Sequence, residues 1–371
     1  MRARFYGRAG LQWTHGSEGN ENITGMEDRV NRINVWVLSD GKAGHLSQSK
    51  GILAALRDWV KVEEDWVEFK LRVGFLRRVM DVVLRGGVQH PTGWFRIFYR
   101  MDELPPGKPD LILSAGGNTR HANAWLAGTL ACRNLFCGDL RGLAKDLFAG
   151  VITWDESKAG EDGWIVNPTP VAITPEEVER EARQWRMETG RMDERIWTML
   201  LGGDGAGYSW GPKDWKRLGG LMKRYYRETG VRWVVVSSRR TGRKAEPLIR
   251  EEAGEDVVCA WCPAEGDREI SYQAALGCSK RVFVTEDSHM MITEAIASGR
   301  QVHTLQPSRW KADPSNLHFL HLYEKNGWIS RHALDFCDLF PTLKVMLDGS
   351  VSALGRQLQK WWRNLERESE E

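Results

Sequence analysis

Short runs of consecutive apolar residues recur along the chain, each followed by a turn rich in glycine or serine and then by a helical pattern. The runs include Ile33 to Leu38, Leu111 to Ser114, Gly150 to Thr153, Ile196 to Leu201, Val231 to Ser237, Val257 to Ala260 and Val282 to Val284. Continuous hydrophobicity of this length marks strands buried on both faces, as in parallel sheets. Lys61 to Phe69 reads as a further strand, and about Leu46 to Trp59 as a helix. Strands that alternate with helices predict an α/β fold of the doubly wound kind. The series occurs twice, on either side of Asn167-Pro168-Thr169-Pro170 and the highly charged Pro175 to Arg195. The expectation is two Rossmann-like doubly wound domains facing a central cleft, over residues 33–170 and 196–345, with a linker at 171–195. Val351 to Leu365 is amphipathic, with Leu354, Leu358 and Trp361 or Trp362 on one side. Residues 346–371 are therefore expected to be a terminal helical segment, and the polar residues 1–32 a flexible extension or an over-long start ahead of Met26.

Composition narrows the picture without naming a function. The 371 residues, 42% of them hydrophobic, suffice for two ordinary cores. A net charge of +2 gives no global polyelectrolyte signal, so a nucleic-acid or membrane argument must rest on local patches. No apolar stretch has the length of a signal peptide or a membrane span, which leads us to expect a cytoplasmic protein with reduced thiols. Of the six cysteines, Cys259 and Cys262 have CxxC spacing, but no second pair completes a zinc set, and no metal is expected. The 18 tryptophans include Trp36, Trp59, Trp66, Trp185 and Trp215 in periodic segments, where core packing is the expectation.

Val282 to Leu305 carries the richest chemistry. It reads as strand, turn, helix and strand, with Asp287, Ser288 and His289 at the turn. Free N–H groups at a helix start attract anions, and two turns on Glu294 can reach back toward the same crevice. His289 and Asp287 could contact a ligand bound there or merely cap the helix. Gly202-Gly203-Asp204-Gly205-Ala206-Gly207 follows an apolar run, so its backbone can approach a phosphate closely. It is neither a Walker motif nor a dinucleotide fingerprint, and a plain tight turn is the alternative. Arg239 and Arg240 end the next strand, where a guanidinium fork suits a diphosphate. Adjacent strand residues face opposite ways, so one of the two could be a solvated neighbour, and Arg239 is the preferred ligand.

In the first half, Asp40-Gly41-Lys42-Ala43-Gly44-His45 joins a carboxylate, a cation and an imidazole on one loop. His45 or Asp40 could take a proton from a substrate hydroxyl, the alternative being a turn cap and its support. Lys42 with Asn118, Thr119 and Arg120, which follow Gly116-Gly117, form the other polar rim, with substrate positioning as the expected role.

Thr285, a few polar residues, a helix, Glu294-Ala295 and Gly299 together resemble the donor segment of GT-B glycosyltransferases. More closely, the chain resembles the mitochondrial fission Elm family, through SDGKAGHLSQS at Ser39 to Ser49, SAGGNTRHANAWLA at Ser114 to Ala127, LLGGDGAGYSW at Leu200 to Trp210 and SSRRTG at Ser237 to Gly242. The sequence departs from that family's pattern at Ala43, where proline is frequent, and at Gly116 to Arg120, where an arginine-rich version is usual. The resemblance implies a GT-B-like fold whose last helix crosses back to the first domain. It also implies a nucleotide-sugar co-substrate of unspecified base, with Glu294 on the ribose, and no other cofactor.

The leading expectation is a metal-independent glycosyltransferase acting on an envelope glycan or a lipid-linked acceptor. The alternative is a non-catalytic membrane-associated adaptor that retains the nucleotide fold. Residues 69–101 bear on both: Lys70, Arg72, Arg77, Arg78, Arg85, Arg96 and Arg100 are opposed only by Asp81 and interleaved with apolar residues. Such a face could rest on an anionic membrane, peripherally at its inner side, or could simply pack on the sheet with arginine stems covering apolar surface. No nucleic-acid module accompanies it, and no nucleic-acid partner is expected. An NAD-type epimerase is disfavoured for want of the glycine fingerprint and a Tyr-x-x-x-Lys pair.

Overall fold

The structure is a computed structural model, and it describes residues 32–73, 76–85, 95–101, 103–334 and 350–370. The expectations for residues 1–31, including Met26, and for Cys337 lie outside this range.

The amino-terminal half is built from β1 (Arg32–Ser39), α1 (Ala43–Arg57), β2 (Lys61–Leu71), α2 (Leu76–Arg85), α3 (Phe95–Phe98), β3 (Tyr99–Met101), β4 (Leu111–Ala115), α4 (Arg120–Leu130), β5 (Arg133–Cys137), β6 (Gly150–Thr153) and β7 (Trp164–Val166). Its seven strands run in the order β3-β2-β1-β4-β5-β6-β7, all parallel except the β2–β3 pair. Both faces of β1 are covered, as its unbroken apolar run requires. Val35 and Val37 pack with Ile52 and Leu56 of α1, while Trp36 and Leu38 pack toward Ala122 and Trp125 of α4.

The other half begins with α5 (Pro175–Thr189) and continues through β8 (Ile196–Leu201), β9 (Tyr208–Ser209), α6 (Pro212–Thr229), β10 (Arg232–Ser237), α7 (Ala245–Ala253), β11 (Val258–Cys262), α8 (Tyr272–Gly277), β12 (Arg281–Thr285), α9 (His289–Ala297), β13 (Gln301–Gln306), β14 (Arg309–Trp310), α10 (Pro314–Lys325) and β15 (Ile329–Ala333). Six strands form a parallel sheet in the order β11-β10-β8-β12-β13-β15, and β9 pairs with β14 antiparallel. In both sheets the order reverses beside the first strand of the series. That reversal opens a crevice at the carboxyl ends of the strands.

Residues 171–195, read as a linker from their charge, contain a helix of the second core instead. Thr174 caps it through the Glu177 N–H, and Gly190 ends it at φ 68°. Its charges are spread around a narrow apolar stripe, Val178, Ala182 and Trp185, which packs with Leu276 and Ile196. The contact is close enough that a Cβ on Gly277 would lie 1.9 Å from the Val178 carbonyl oxygen. The final helix, α11 (Ser350–Glu370), returns to the first sheet, where Leu354, Leu358, Trp361 and Trp362 join Ile33, Val35 and Leu56. Trp361 Nε1 donates to the Ala149 carbonyl at 3.1 Å, and the Arg133 guanidinium stacks over Trp362. Trp36, Trp185 and Trp215 are buried and Trp59 and Trp66 pack at a core edge. Among the described residues, no helix is long and apolar enough to cross a membrane.

Candidate functional site

The β1–α1 turn of the first half meets α9 of the second across the crevice. Met290 Cγ lies 2.9 Å from the position a Cβ on Gly44 would take, and Gln48 Nε2 donates to Met290 Sδ at 3.4 Å. The Ser47 hydroxyl donates to Glu294 Oε1 at 2.8 Å, and the Tyr272 hydroxyl donates to Oε2 at 2.8 Å. Glu294 thus stands two turns into α9 with one oxygen held from each half. Burial raises its pKa, against the two hydroxyl bonds that lower it.

Beside this contact, His45 Nδ1 and Asp40 Oδ1 are 2.8 Å apart, and Asn118 Nδ2 donates to Asp40 Oδ2 at 2.8 Å. Burial pushes the Asp40 carboxyl up, but His45 and Lys42 outweigh it and hold the group below the usual carboxylate range. The Lys42 ammonium is exposed and 3.7 Å from the same carboxylate. The His45 ring lies over Gly116, whose φ of 83° and missing side chain make the room. Its Nε2 has no hydrogen-bond partner among the described residues, and the ring lines a cavity of about 660 Å³ between the halves. Trp154, Asp139, Arg141, Asp155 and Lys158 line that cavity from the first half, and His289, Met290 and His318 from the second.

On the second half, the glycine loop after β8 is tight because protein atoms approach it. A Cβ on Gly202 would fall 2.1 Å from Asp287 Oδ2, and one on Gly203 2.2 Å from the Arg240 carbonyl oxygen. The amides of both glycines, expected to face a ligand, are spent internally. Gly202 N–H donates to Thr285 Oγ1 at 2.7 Å and Gly203 N–H to Asp287 Oδ2 at 2.9 Å. Arg240 Nη2 also reaches Asp287 Oδ2, at 2.9 Å. Asp287 is inaccessible, so desolvation raises its pKa to about 6, with Arg240, Thr285 and Gly203 pulling the other way.

The two arginines divide in the opposite sense to the expectation. Arg240 turns to the glycine loop and Asp287, whereas Arg239 lines a separate open cavity of about 750 Å³ with Ser238, Arg243, Glu246 and Arg250. The turn Ser238 to Thr241 causes this: its hydroxyls bond back to the Leu201 and Gly202 carbonyls, which aims Arg240 inward. Ser288 is the N-cap of α9 and its hydroxyl makes no capping bond. His289 stacks on Phe319 at 4.0 Å and bonds Asn316, and burial lowers its pKa to about 4. A neutral, anchored ring results.

Thr119 and Arg120 do not form an open rim. Thr119 is buried with its hydroxyl on the Ala115 and Gly116 carbonyl oxygens, and Arg120 is 5% exposed. Within 69–101, Met80, Leu84, Phe98 and Tyr99 are core, while Val73, Val79, Val82 and Ile97 are 43 to 71% exposed. Phe75 and Trp94 lie outside the described residues. Among the described residues, no group of three or more His, Cys, Asp or Glu could hold a metal. Cys259 Sγ donates to the Trp233 carbonyl rather than pairing with Cys262.

Sequence reasoning missed Ser47, Tyr272, Trp154, Arg141 and the buried group around Glu286. Glu286 accepts from Arg331 at 2.8 and 3.1 Å, from Tyr208 at 2.9 Å and from Thr304 at 2.9 Å. Its position one residue beyond the β12 run was the available signal.

Two sheets, parallel but for the β2–β3 pair, with their strand ends facing one crevice, and the last helix returned to the first sheet, define a GT-B fold. The chain belongs to the family described as Mitochondrial fission ELM1, whose model matches residues 43–331. No curated protein matches the sequence. Among solved structures, UDP-GlcNAc 2-epimerase from Methanocaldococcus jannaschii is similar over 89% of this chain and 99% of that one, with a TM-score of 0.51 and 11% identity. The S. aureus MnaA-UDP co-structure aligns over 90% of this chain and 89% of that one, at a TM-score of 0.49 and 11% identity. The E. coli ADP-heptose lps heptosyltransferase II aligns over 90% and 100%, at 0.44 and 11%. At such identity the likeness concerns the fold.

Proposed function

We propose that the protein is a glycosyltransferase that takes a nucleotide-sugar donor on its second half and a glycan or lipid-linked acceptor on its first. The observation that carries this reading is the meeting of α9 and its Glu294 with the Asp40–His45 pair across one crevice. Glu294 would hold the ribose once Ser47 releases it. The amino terminus of α9 at Ser288 and the Arg240 fork would take the diphosphate, and Arg239 with its neighbours the nucleoside end.

In a direct displacement, the acceptor oxygen bonds to the anomeric carbon as the bond to the diphosphate breaks, and the electron pair leaves with the diphosphate. His45 Nε2 receives the acceptor proton, and Asp40 at Nδ1 stabilises the imidazolium that forms. Arg240 and the helix start offset the leaving charge without a metal. No further cofactor enters the scheme. Likeness of fold to a UDP-GlcNAc 2-epimerase supports a nucleotide sugar as the class to try.

The second reading, a membrane-associated adaptor, draws on the exposed Val79, Val82 and Ile97 beside Arg72, Arg78 and Arg96. It would place the protein peripherally at the inner face of a membrane. A thermal-shift screen of nucleoside diphosphates and their sugar conjugates separates the two, because a ligand of the folded state raises apparent stability. A selective shift that disappears in Glu294→Ala supports the donor site. No shift with any nucleotide, together with binding to anionic vesicles, favours the adaptor.

A further inference from the structure

One buried cation in the amino-terminal half has no ion-pair partner among the described residues. Arg120 begins α4 and is 5% exposed, yet makes no hydrogen bond or ion pair among the described residues, and its Nε is buried without a partner. Its Nη1 lies 3.6 Å from the position a Cβ on Gly117 would take. The guanidinium is therefore folded back over the Gly116-Gly117-Asn118-Thr119 turn from which the helix springs. That helix has no acidic residue in its first turn, and its N-cap Thr119 spends its hydroxyl on carbonyl oxygens, so no charge within the helix offsets its positive end.

The neighbours add charge of the same sign. Arg77 donates to Asn118 Oδ1 at 2.5 Å and leaves its own Nε buried and unpartnered. Burial is the main cause lowering the Arg120 pKa; the Asp81 carboxylate opposes it, and Arg141 and Arg77 lower it further. The nearby carboxylates are engaged elsewhere. Asp81 Oδ1 is 2.7 Å from His121 Nε2, and Asp139 accepts from the Arg141 N–H at 2.8 Å. Arg141 and Asp139 line the cavity between the halves, which gives a ligand its route in. Asn118 ties the cluster to the Asp40–His45 pair, accepting from Arg77 at one end and donating to Asp40 at the other.

We propose that Arg120, with Arg77, Arg141 and the amino terminus of α4, forms an anion site that takes a phosphate or diphosphate carried by the acceptor. One buried guanidinium, the half-buried Arg77 and a helix start supply more donors than a carboxylate can use, and a tetrahedral phosphate group matches that number. The assignment of this phosphate to the acceptor rests on the proposed function; the anion site itself does not.

The test is a calorimetric titration of inorganic pyrophosphate into the full chain, alone and with UDP saturating. The site predicts pyrophosphate binding that UDP does not displace. Arg120→Gln should weaken it by at least about tenfold, as for loss of a bidentate charged hydrogen bond, and leave the UDP thermal shift unchanged. Equal titrations for wild type and Arg120→Gln would overturn the proposal. Should that variant fail to fold, Arg141→Gln, at an exposed position, replaces it; an unchanged titration there overturns the proposal as well. If UDP never binds but Arg120→Gln still removes a pyrophosphate site, the donor reading fails and the anion site stands. Zwitterionic vesicles with and without a long-chain alkyl diphosphate separate the sources. Co-sedimentation that requires the diphosphate and is lost in Arg120→Gln identifies a lipid-linked phosphate, and loss of free pyrophosphate binding alone identifies a soluble one.

Discussion

In the carboxyl-terminal half, Arg240 and Arg331 each pair with a buried carboxylate, whereas Arg120 in the amino-terminal half makes no ion pair among the described residues. Arg120 and Arg240 follow the carboxyl ends of parallel strands, where the fold places ligands, and Arg331, mid-strand, reaches the Glu286 that follows β12. The difference separates two ways of keeping a guanidinium in a low-dielectric place. Glu286 neutralises Arg331 permanently, within a network that also ties β9 to β13 and β15. Asp287 neutralises Arg240 from a position beside the Gly203 amide, where an anionic ligand would compete with it. Arg120 keeps its Nε without a partner among the described residues.

The largest expected effect comes from breaking the permanent pair. Arg331→Ala leaves the inaccessible Glu286 carboxylate short of its bidentate partner, which should cost about 3–5 kcal/mol of stability. Urea unfolding checks this, and a loss below about 1 kcal/mol would mean that water reaches Glu286 once the arginine is gone.

Next comes Glu294→Ala, which leaves both sheets intact but removes the group between Ser47 and Tyr272. Nucleoside diphosphate binding should fall by at least about tenfold, or about 1.4 kcal/mol, with the fold retained. Binding within twofold of wild type, read by calorimetry, would remove Glu294 from the donor site.

Asp287 sharpens the comparison further, because its neutralising role is temporary under the proposed scheme. Asp287→Asn frees Arg240 from its internal anion, and nucleoside diphosphate should bind about fivefold more tightly, near 1 kcal/mol. The pH dependence has a fixed sign. A carboxyl raised from 3.8 to about 6 in the fold holds its proton longer there than in the unfolded chain. Its ionisation therefore erodes stability as pH rises from about 4 to 6, and the cost is full above that window. Asp287→Asn should show the smaller decline over the same window in a thermal-melt series. An identical decline in both proteins would assign the titration to another group.

Much of this architecture was legible in the sequence because buried parallel strands leave unbroken apolar runs. The runs at Ile33, Leu111, Ile196, Val231 and Val282 all became strands. β5, with Arg133 and Asn134 at its start, and the three-residue β7 were too short or too polar to stand out. The helix at 175–189 was masked by its charge, since only Val178, Ala182 and Trp185 face the core. At the site, glycines and helix starts were visible as types, but not what approaches them. Whether Gly203 meets a phosphate or Asp287, and whether Arg239 or Arg240 turns inward, depends on contacts between loops that are 36 to 84 residues apart. No local pattern encodes those.

The smallest effect separates those two arginines. Arg240 touches the position proposed for the diphosphate, while Arg239 lines the neighbouring cavity with Arg243 and Arg250. An exposed guanidinium that meets only the nucleoside end contributes little, because solvent screens it. Arg239→Ala should therefore weaken a nucleoside diphosphate by about twofold to threefold, well under 1 kcal/mol, and leave pyrophosphate binding on the second half unchanged. Arg240→Ala should weaken both probes together. If Arg239→Ala instead removes pyrophosphate binding, the loop from Ser238 to Thr241 must turn over when an anion arrives, exchanging the two arginines between cavity and crevice. That outcome would make the Arg240–Asp287 pair a resting contact that the ligand breaks, and would move the diphosphate one strand nearer the sheet edge.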